Sequence, residues 1–345
     1  MSSTRFPGVG VALPIVEEIG VPDLVDMAVA AEERGFASVW AGEMAGPELF
    51  ALMGAIATST EHVRLGTGVV CIFARSAAVA AMGFATVDAL APGRSVAGIG
   101  VGSRFTVENW HNARFERTPE VLRDYTEALR SALSGRRMSY RGDHITLDAF
   151  RVALPRPGPI PIFFGPLTPL GLRLSGELAD GAILAFSPVG EVANRATAIR
   201  DAAASAGRDP ADVEVVAYVN CYVGNDPAAM DRMRRLVVQY AVQPTHAPAF
   251  AEVFEGLAEA QRRWAEGDRS GAAALVTDDV VASVTPVGDA ATVVDRLEAL
   301  HEAGVDEAII SPQVTTPGDI SPALNTMNAV ADEIERRRSV APSRS

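Results

Sequence analysis

The sequence contains no lysine, so all 30 Lys+Arg positions in its 345 residues are arginine. This absence excludes a Walker A phosphate-binding lysine, a pyridoxal Schiff base and a lysine general base. Anions would have to be bound by arginine and by backbone N–H groups. The formal net charge of −13 argues against a nucleic-acid-binding protein, because neutralising phosphates requires a basic surface.

Cysteines and long apolar runs are scarce as well. Cys71 and Cys221 are far apart and lack the spacing of metal ligands, so we expect two small core residues and no metal site. No uninterrupted apolar stretch is long enough to cross a bilayer, and residues 1–18 lack the pattern of a signal peptide. We therefore predict a cytoplasmic protein with no membrane partner.

What is present is a regular alternation of strand and helix patterns. Near-continuous apolar strands that alternate with helices predict a parallel sheet covered on both faces. Eight segments have this strand pattern: 8–13, 36–41, 63–70, 94–101, 160–165, 180–186, 213–223 and 305–310. Eight such units predict an α/β fold, a (β/α)8 TIM barrel, whose functional residues lie at the C-terminal ends of the strands.

Two segments interrupt the alternation. Residues 137–159 predict a β-hairpin with Gly142–Asp143 at its turn, followed by a proline-rich connector. A mostly helical insertion precedes the last strand, and its part at about 243–285 is a predicted lid that carries substrate specificity. We assign residues 1–338 to a single catalytic domain and residues 339–345 to a flexible tail.

Glycines interrupt the third strand, VRLGTGVV (63–70). Gly66 and Gly68 lie in a β-branched run, where a glycine marks a bulge, a bend or a close approach to the backbone. From the residues alone, barrel curvature explains both glycines better than a ligand does. A second glycine run, GIGVG (98–102), is a weak phosphate-loop pattern, because the next helix is expected only about fifteen residues later.

Three stretches are informative when taken together. They are FASVWAGEM (36–44), VRLGTGVVCIFARSAAVAAMGFATVDALAPGRSVAGIGVG (63–102) and IPIFFGPLTPLGLRLSGELADGAIL (160–184). This combination resembles the luciferase-like monooxygenase superfamily, and within it the coenzyme F420-dependent oxidoreductases that include the methylene-tetrahydromethanopterin reductases. The resemblance covers most of residues 7–190 and, more weakly, the last strand and helix. It implies a barrel that binds a deazaflavin or flavin.

The resemblance also implies where the cofactor lies. It predicts a non-proline cis peptide bond between Gly68 and Val69, in a bulge that presses on the cofactor ring. Further cofactor contacts are implied after the third, fourth and fifth strands, at Cys71, Arg75, Val101, Gly102, Ser103, Gly165, Leu167 and Thr168. Thr168 is also predicted to cap a helix, whose N–H groups are suited to a phosphate.

Glu43 is the first candidate for proton transfer, at the end of the second strand. Relatives have an Asp-His pair there, whereas this chain has Glu43–Met44, so the usual histidine is missing. Ser103 stands where sugar-phosphate-oxidising relatives carry a catalytic Glu. The proton-transfer schemes of those relatives therefore do not carry over directly.

Two further candidates follow the fourth strand. Glu108 and His111 lie beside Trp110, in a loop that is expected to reach the substrate. Imidazole titrates near neutrality, which suits a proton donor, although an exposed loop histidine explains His111 equally well. His246, in the predicted lid, is a less favoured candidate.

The leading functional hypothesis is an F420-dependent oxidoreductase that transfers a hydride to or from a small organic substrate. It would reduce an activated C=C or C=N bond, or oxidise an alcohol. One alternative is an FMN-dependent monooxygenase that uses O2 and a partner flavin reductase. Another is a non-catalytic barrel subunit or binding protein, which the missing histidine favours. Because related proteins are commonly dimers, we expect a homodimer.

Overall fold

The structure is a computed structural model, described here for residues 8–155, 158–185, 187–244 and 246–340. Its strands are β1 (Val9–Ala12), β2 (Ser38–Ala41), β3 (Arg64–Thr67), β4 (Val70–Cys71), β5 (Ser95–Gly100), β6 (Met138–Arg141), β7 (Thr146–Phe150), β8 (Ile162–Phe164), β9 (Gly181–Leu184), β10 (Glu214–Val223), β11 (Val287–Gly288) and β12 (Glu307–Pro312). Its helices are α1 (Val21–Glu33), α2 (Leu49–Ser59), α3 (Ala77–Leu90), α4 (Arg104–Asn109), α5 (Thr118–Leu133), α6 (Pro169–Leu178), α7 (Val189–Ser205), α8 (Pro227–Ala241), α9 (Ala247–Phe250), α10 (Leu257–Ala265), α11 (Arg269–Ala273), α12 (Asp278–Val284), α13 (Ala290–Glu302) and α14 (Ser321–Val340).

Eight of the strands form a closed parallel barrel. Their order is β1, β2, β3, β5, β8, β9, β10 and β12, and β12 pairs with β1 to close the circle. The predicted (β/α)8 barrel is therefore confirmed, and each predicted strand segment contains one of these strands. Residue 186, at the end of one segment, lies outside the described residues. The very short strands β4 and β11, which join β5 and β10, were not predicted.

The barrel strands are mostly apolar because both of their faces are buried. Side chains at alternate positions fill the interior, where Trp40, Phe163, Val216 and Ile309 belong to one cluster. The side chains between them point outwards and pack against the surrounding helices, as Ile310 does. This alternation decides which residues reach the C-terminal ends of the strands from the inside, an opening that we call the barrel mouth.

A polar network occupies the opposite, N-terminal end of the barrel. The Glu307 carboxylate accepts hydrogen bonds from Ser38 and from Trp40 Nε1. It also lies 3.3 Å from an Arg64 nitrogen, and Arg64 in turn contacts Glu214 at 2.8 Å. Burial raises the pKa of Glu307, and its hydrogen bond from Ser38 and the Arg64 charge act against that rise. The network pairs a charge that would otherwise be costly to bury.

The first predicted interruption is an antiparallel hairpin of β6 and β7, with Gly142–Asp143 in its turn. The hairpin packs on α5, where the Tyr140 hydroxyl lies 3.2 Å from an Asp124 carboxylate oxygen. The prediction of a hairpin is thus confirmed. Residues 156–157, in the proline-rich connector after it, lie outside the described residues.

The second interruption is the predicted helical insertion, which comprises α9 to α12 and lies between α8 and β11. It has an apolar core of its own with α8, in which Phe250, Phe254 and Val281 are buried. Arg232 of α8 forms an ion pair with Glu17 in the loop after β1, so this unit is tied to the rim of the barrel mouth.

The chain ends in the long helix α14. Its last two residues, 339–340, belong to the predicted tail but are helical, and residues 341–345 lie outside the described part of the chain. Among the described helices, none combines the length and the apolar character needed to cross a bilayer.

Candidate functional site at the barrel mouth

The third barrel strand is interrupted between β3 and β4. The peptide bond between Gly68 and Val69 is cis, as the family resemblance implied. The Gly68 N–H donates to the Ala41 carbonyl at 2.8 Å, and Thr67 Oγ1 donates to the Gly98 carbonyl at 2.8 Å. The bulge is therefore held to both neighbouring strands, β2 and β5.

The glycines of this strand are explained by the barrel interior. A Cβ atom on Gly66 would collide with the Trp40 ring, which is fully buried. A Cβ atom on Gly68 would collide with the hydroxyl of Tyr218, which reaches across from β10. Close approach by these two side chains, and not curvature alone, therefore requires glycine at both positions.

Around Val69 the mouth is lined by backbone. A Cβ atom on Gly100 would lie 2.6 Å from Val69 Cγ2, and one on Gly165 would lie 3.1 Å from Val69 Cγ1. Gly102 has a φ of +68°, and a Cβ there would lie 3.0 Å from Cys71 Sγ. We call this surface the glycine floor, formed by Gly68, Val69, Gly100, Gly102 and Gly165. Four of its five members are glycines, so it carries a single side chain, that of Val69.

The floor brings together most of the predicted cofactor residues. Gly68, Val69, Gly102 and Gly165 form it, and the buried Cys71 lies directly beneath Gly102. The Val101 carbonyl lies 3.8 Å from the Cys71 sulfur. Burial raises the pKa of the Cys71 thiol, so this group stays protonated near neutral pH and acts as a small apolar side chain. Cys221 is also free and fully buried, as expected.

Glu43 is hydrogen-bonded through both carboxylate oxygens. Oε2 accepts the Cys71 backbone N–H at 2.9 Å, and Oε1 accepts Arg75 Nε at 2.5 Å. Arg75 Nη2 contacts Glu48 as well, at 2.5 Å. Burial acts to lower the pKa of Arg75, but the two carboxylates outweigh it and raise the pKa. We call Glu43, Arg75 and Glu48 the carboxylate clamp; it ties the end of β2 to β4.

Ser103 and Thr168 both act as helix caps. Ser103 Oγ accepts the Thr106 N–H at 3.1 Å, and Thr106 Oγ1 accepts the Ser103 N–H at 3.3 Å. A short helix, α4, thus begins immediately after GIGVG, and the expectation of about fifteen intervening residues was wrong, because a capping box needs only a local Ser-x-x-Thr pattern. Thr168 Oγ1 accepts the Gly171 N–H at 3.1 Å, which confirms the predicted cap of α6.

The two other proton-transfer candidates lie on the outer rim. Glu108 is exposed and pairs with Arg104 at 2.6 Å, and His111 is exposed just after α4. Trp110 is 48% exposed and Phe105 62% exposed, with ring centroids 6.2 Å apart in an edge-on arrangement. No described contact joins Glu108 or His111 to the glycine floor.

Sequence reasoning missed a polar group on the far side of the mouth. Tyr218, Asn220, Ser311 and Gln313 come from β10 and from the end of β12, opposite to β3 and β5 in the barrel order. Gln313 Nε2 donates to Asn220 Oδ1 at 2.9 Å and to the Ser311 carbonyl at 3.0 Å. The alternation along VEVVAYVNCYV was the signal available, since it sets Tyr218 and Asn220 on one face.

Within the described part of the chain, no three His, Cys, Asp or Glu side chains are grouped as the ligands of a metal ion would be.

Comparisons with known proteins identify the family to which this (β/α)8 barrel belongs. The family model for luciferase-like monooxygenases matches residues 7–307. The chain therefore belongs to the luciferase-like monooxygenase family, and the resemblance noted from the sequence is confirmed.

The chain is also similar to individual members of this family. The chain is 26% identical to a 5,10-methylenetetrahydromethanopterin reductase of Archaeoglobus fulgidus, over 81% of this chain and 86% of that protein. It is 28% identical to the protein of the same name from Methanolobus tindarius, over 61% of this chain and 65% of that protein, just under two thirds of its length. The coenzyme F420-dependent tetrahydromethanopterin reductase of Methanopyrus kandleri has the same fold, with a TM-score of 0.81, 21% identity and coverage of 96% and 99% of the two chains.

Proposed function

We propose that this protein is an F420-dependent oxidoreductase that transfers a hydride between a deazaflavin and a small organic substrate. The observation that carries the proposal is the glycine floor, because it lies where parallel barrels place their active sites and because the sequence around it resembles F420-dependent enzymes. A C=C or C=N bond, or an alcohol, is a suitable reaction partner for such a hydride.

The floor fits a planar heterocycle. Gly100 is buried against Val69, and the partly exposed members Gly68, Val69, Gly102 and Gly165 contribute only one side chain, so a ring placed there would meet backbone and one valine. The Leu167 and Thr168 turn offers less to a phosphate, because α6 begins with Pro169, which has no N–H, and the Gly171 N–H is taken by Thr168. We assign the ring to the floor with Val101 and Cys71 beside it. The cofactor tail is assigned to Ser103 first, and to the Leu167 and Thr168 turn with the few N–H groups that remain free there.

A bound deazaflavin would supply the carbon that accepts or donates hydride, and the protein would supply its placement. In this proposal Glu43 and Arg75 position the bulge under the ring, because all their strong hydrogen bonds go to each other, to Glu48 and to Cys71. The first candidate for proton transfer is then the imidazole of His111, because it has no charged partner among the described residues. Glu108 is the second candidate, because its carboxylate already pairs with Arg104.

FMN is the alternative cofactor. The family description itself names monooxygenases, and both cofactors present a similar ring to the same surface. An FMN-dependent monooxygenase would also need O2 and a separate source of reduced flavin, so it predicts a reductase partner. We further propose, on the resemblance alone, a cytoplasmic homodimer.

The placement of the cofactor is tested at Ser103. Ser103→Trp adds bulk beside the floor, whereas Ser103→Ala removes only the cap, which costs about 1 kcal/mol of stability. We expect Ser103→Trp to weaken F420 binding at least tenfold and Ser103→Ala to change it less than threefold. Equal affinity of both variants and the unmodified protein would contradict the placement.

A further inference from the structure

The mouth has a second side, formed by the ends of β10 and β12. These strands are adjacent and parallel, and Asn220 and Ser311 are directly paired in register. Along β10, Val216 and Tyr218 pack in the barrel interior, and Ile309 of β12 packs with them. Because side chains alternate along a strand, Asn220 and Ser311 project inwards one layer higher, at the mouth.

This side faces the glycine floor directly. In the closed order of eight strands, β10 lies opposite β3 and β12 lies opposite β5. The Tyr218 side chain shows that β10 faces β3, because it extends across the barrel and its hydroxyl lies where a Cβ atom on Gly68 would be. Asn220, one layer above Tyr218, therefore looks across the mouth towards the bulge at Gly68–Val69.

The hydrogen bonds here leave defined groups available. Gln313 Nε2 and Asn220 Oδ1 are used on each other, and the Gln313 backbone N–H is fixed by the Cys221 carbonyl at 3.0 Å. Within the described residues, the Asn220 amide N–H groups and Gln313 Oε1 have no partner. The side chains of Asn220, Gln313 and Ser311 are all half-buried. The site thus presents a neutral donor beside a neutral acceptor, held by the strand ends.

Three arginines around the mouth are already paired with carboxylates, which also favours a neutral substrate group at this site. Arg75 is paired with Glu43 and Glu48, Arg104 with Glu108, and Arg232 with Glu17. The chain has no lysine that would add a further cation. An anionic group held against Asn220 and Gln313 would therefore lose water while these three arginines are already engaged, which is unfavourable.

We propose that Asn220, Ser311 and Gln313 form the substrate-recognising side of the mouth, and that they select an uncharged substrate with a carbonyl, amide or imine group over an anionic one. The exposed Phe105 on α4 and Trp110 directly after it add an apolar rim for the body of such a molecule. This inference rests on the proposed function, since it assigns the opposite side of the mouth to the cofactor.

The test uses two probes of similar size and shape, the neutral benzamide and the anionic benzoate. Each is titrated into the full-length protein with and without F420, with tryptophan fluorescence as the readout. We expect saturable benzamide binding, with benzoate at least tenfold weaker. Asn220→Ala and Gln313→Ala should each weaken benzamide about five- to tenfold, the share of one neutral hydrogen bond, and leave F420 affinity unchanged.

Two further variants separate recognition from folding. Asn220→Asp keeps the side-chain size and should also weaken benzamide, whereas Asn328→Ala, at an exposed amide on α14, should not. Benzoate binding as tight as benzamide, unchanged benzamide affinity in the alanine variants, or no saturable benzamide binding would each overturn the inference. Failure of F420 to bind the unmodified protein would instead contradict the proposed function, and the preference between the probes would still be measured on the protein alone.

Discussion

Variants of Glu43 can distinguish a catalytic role of this carboxylate from a positioning role. Its carboxylate accepts the backbone N–H of Cys71 and the Nε of Arg75, and the side chains of Glu43 and Arg75 are only 13% and 19% exposed. Glu43→Ala removes both hydrogen bonds. Glu43→Gln keeps the shape and one oxygen for Cys71 but removes the charge.

The expected magnitudes follow from these contacts. A hydrogen bond to a charged group contributes about 1.5–3 kcal/mol, and here solvent screens it only weakly. Arg75 keeps Glu48 in either variant, which offsets part of the loss. We therefore expect Glu43→Ala to lower the free energy of unfolding by about 2–4 kcal/mol, and Glu43→Gln to lower it by about 1–2 kcal/mol.

The assay is urea unfolding followed by F420 titration of each folded variant. Glu266→Gln, in an ion pair that is exposed on α10, is the matched control and should cost less than about 0.5 kcal/mol. If Glu43 positions the bulge, Glu43→Gln should also weaken F420 binding about three- to tenfold, in step with the lost stability. Full stability in Glu43→Ala, or full F420 affinity in Glu43→Gln, would refute the clamp.

Two other predictions concern the barrel and the insertion. Gly66→Ala should lower the free energy of unfolding by about 3 kcal/mol in urea, because the new Cβ atom meets the buried Trp40 ring. Gly54→Ala on α2, where the nearest neighbour of a Cβ atom is 3.7 Å away, should raise the free energy of unfolding by about 0.5–1 kcal/mol. Changes of the same sign in both variants would contradict the packing. Burial and the Arg195 charge lower the pKa of His246 to about 4. The unfolded chain therefore binds more protons than the folded chain below pH 6.5. The free energy of unfolding should have its full value above that pH and should fall by about 2 kcal/mol on acidification to pH 5. His246→Gln should lose this part of the pH dependence, and an unchanged profile would show that the side chain titrates normally.

The barrel was predictable because its strands are buried on both faces. Segments such as 94–101 and 180–186 are apolar after their first one or two residues, which distinguishes them from the amphipathic helices between them. The interruption at 137–159 was also visible, since Gly142–Asp143 is a turn pattern. The lid was predicted only as a helical region, because the apolar core that shapes it joins residues far apart in the sequence, such as Val237 of α8 and Val281 of α12.

The site was predictable on one side only. The glycine floor stood out because glycine is unusual inside a strand, yet the reason for Gly66 and Gly68 lay in Trp40 and Tyr218, from strands that are distant in sequence. The paired amides of Asn220 and Gln313 left no such mark, because their 2.9 Å hydrogen bond exists only when β10 and β12 are adjacent.

The most direct test of the central claim is a pair of titrations of the purified protein, one with F420 and one with FMN, followed by tryptophan fluorescence. Trp110 is the reporting side chain, because it is exposed at the C-terminal end of α4, whereas Trp40 is buried in the barrel. The account predicts micromolar or tighter binding of F420 and clearly weaker binding of FMN. Tighter binding of FMN, or no saturable change with either cofactor, would contradict it.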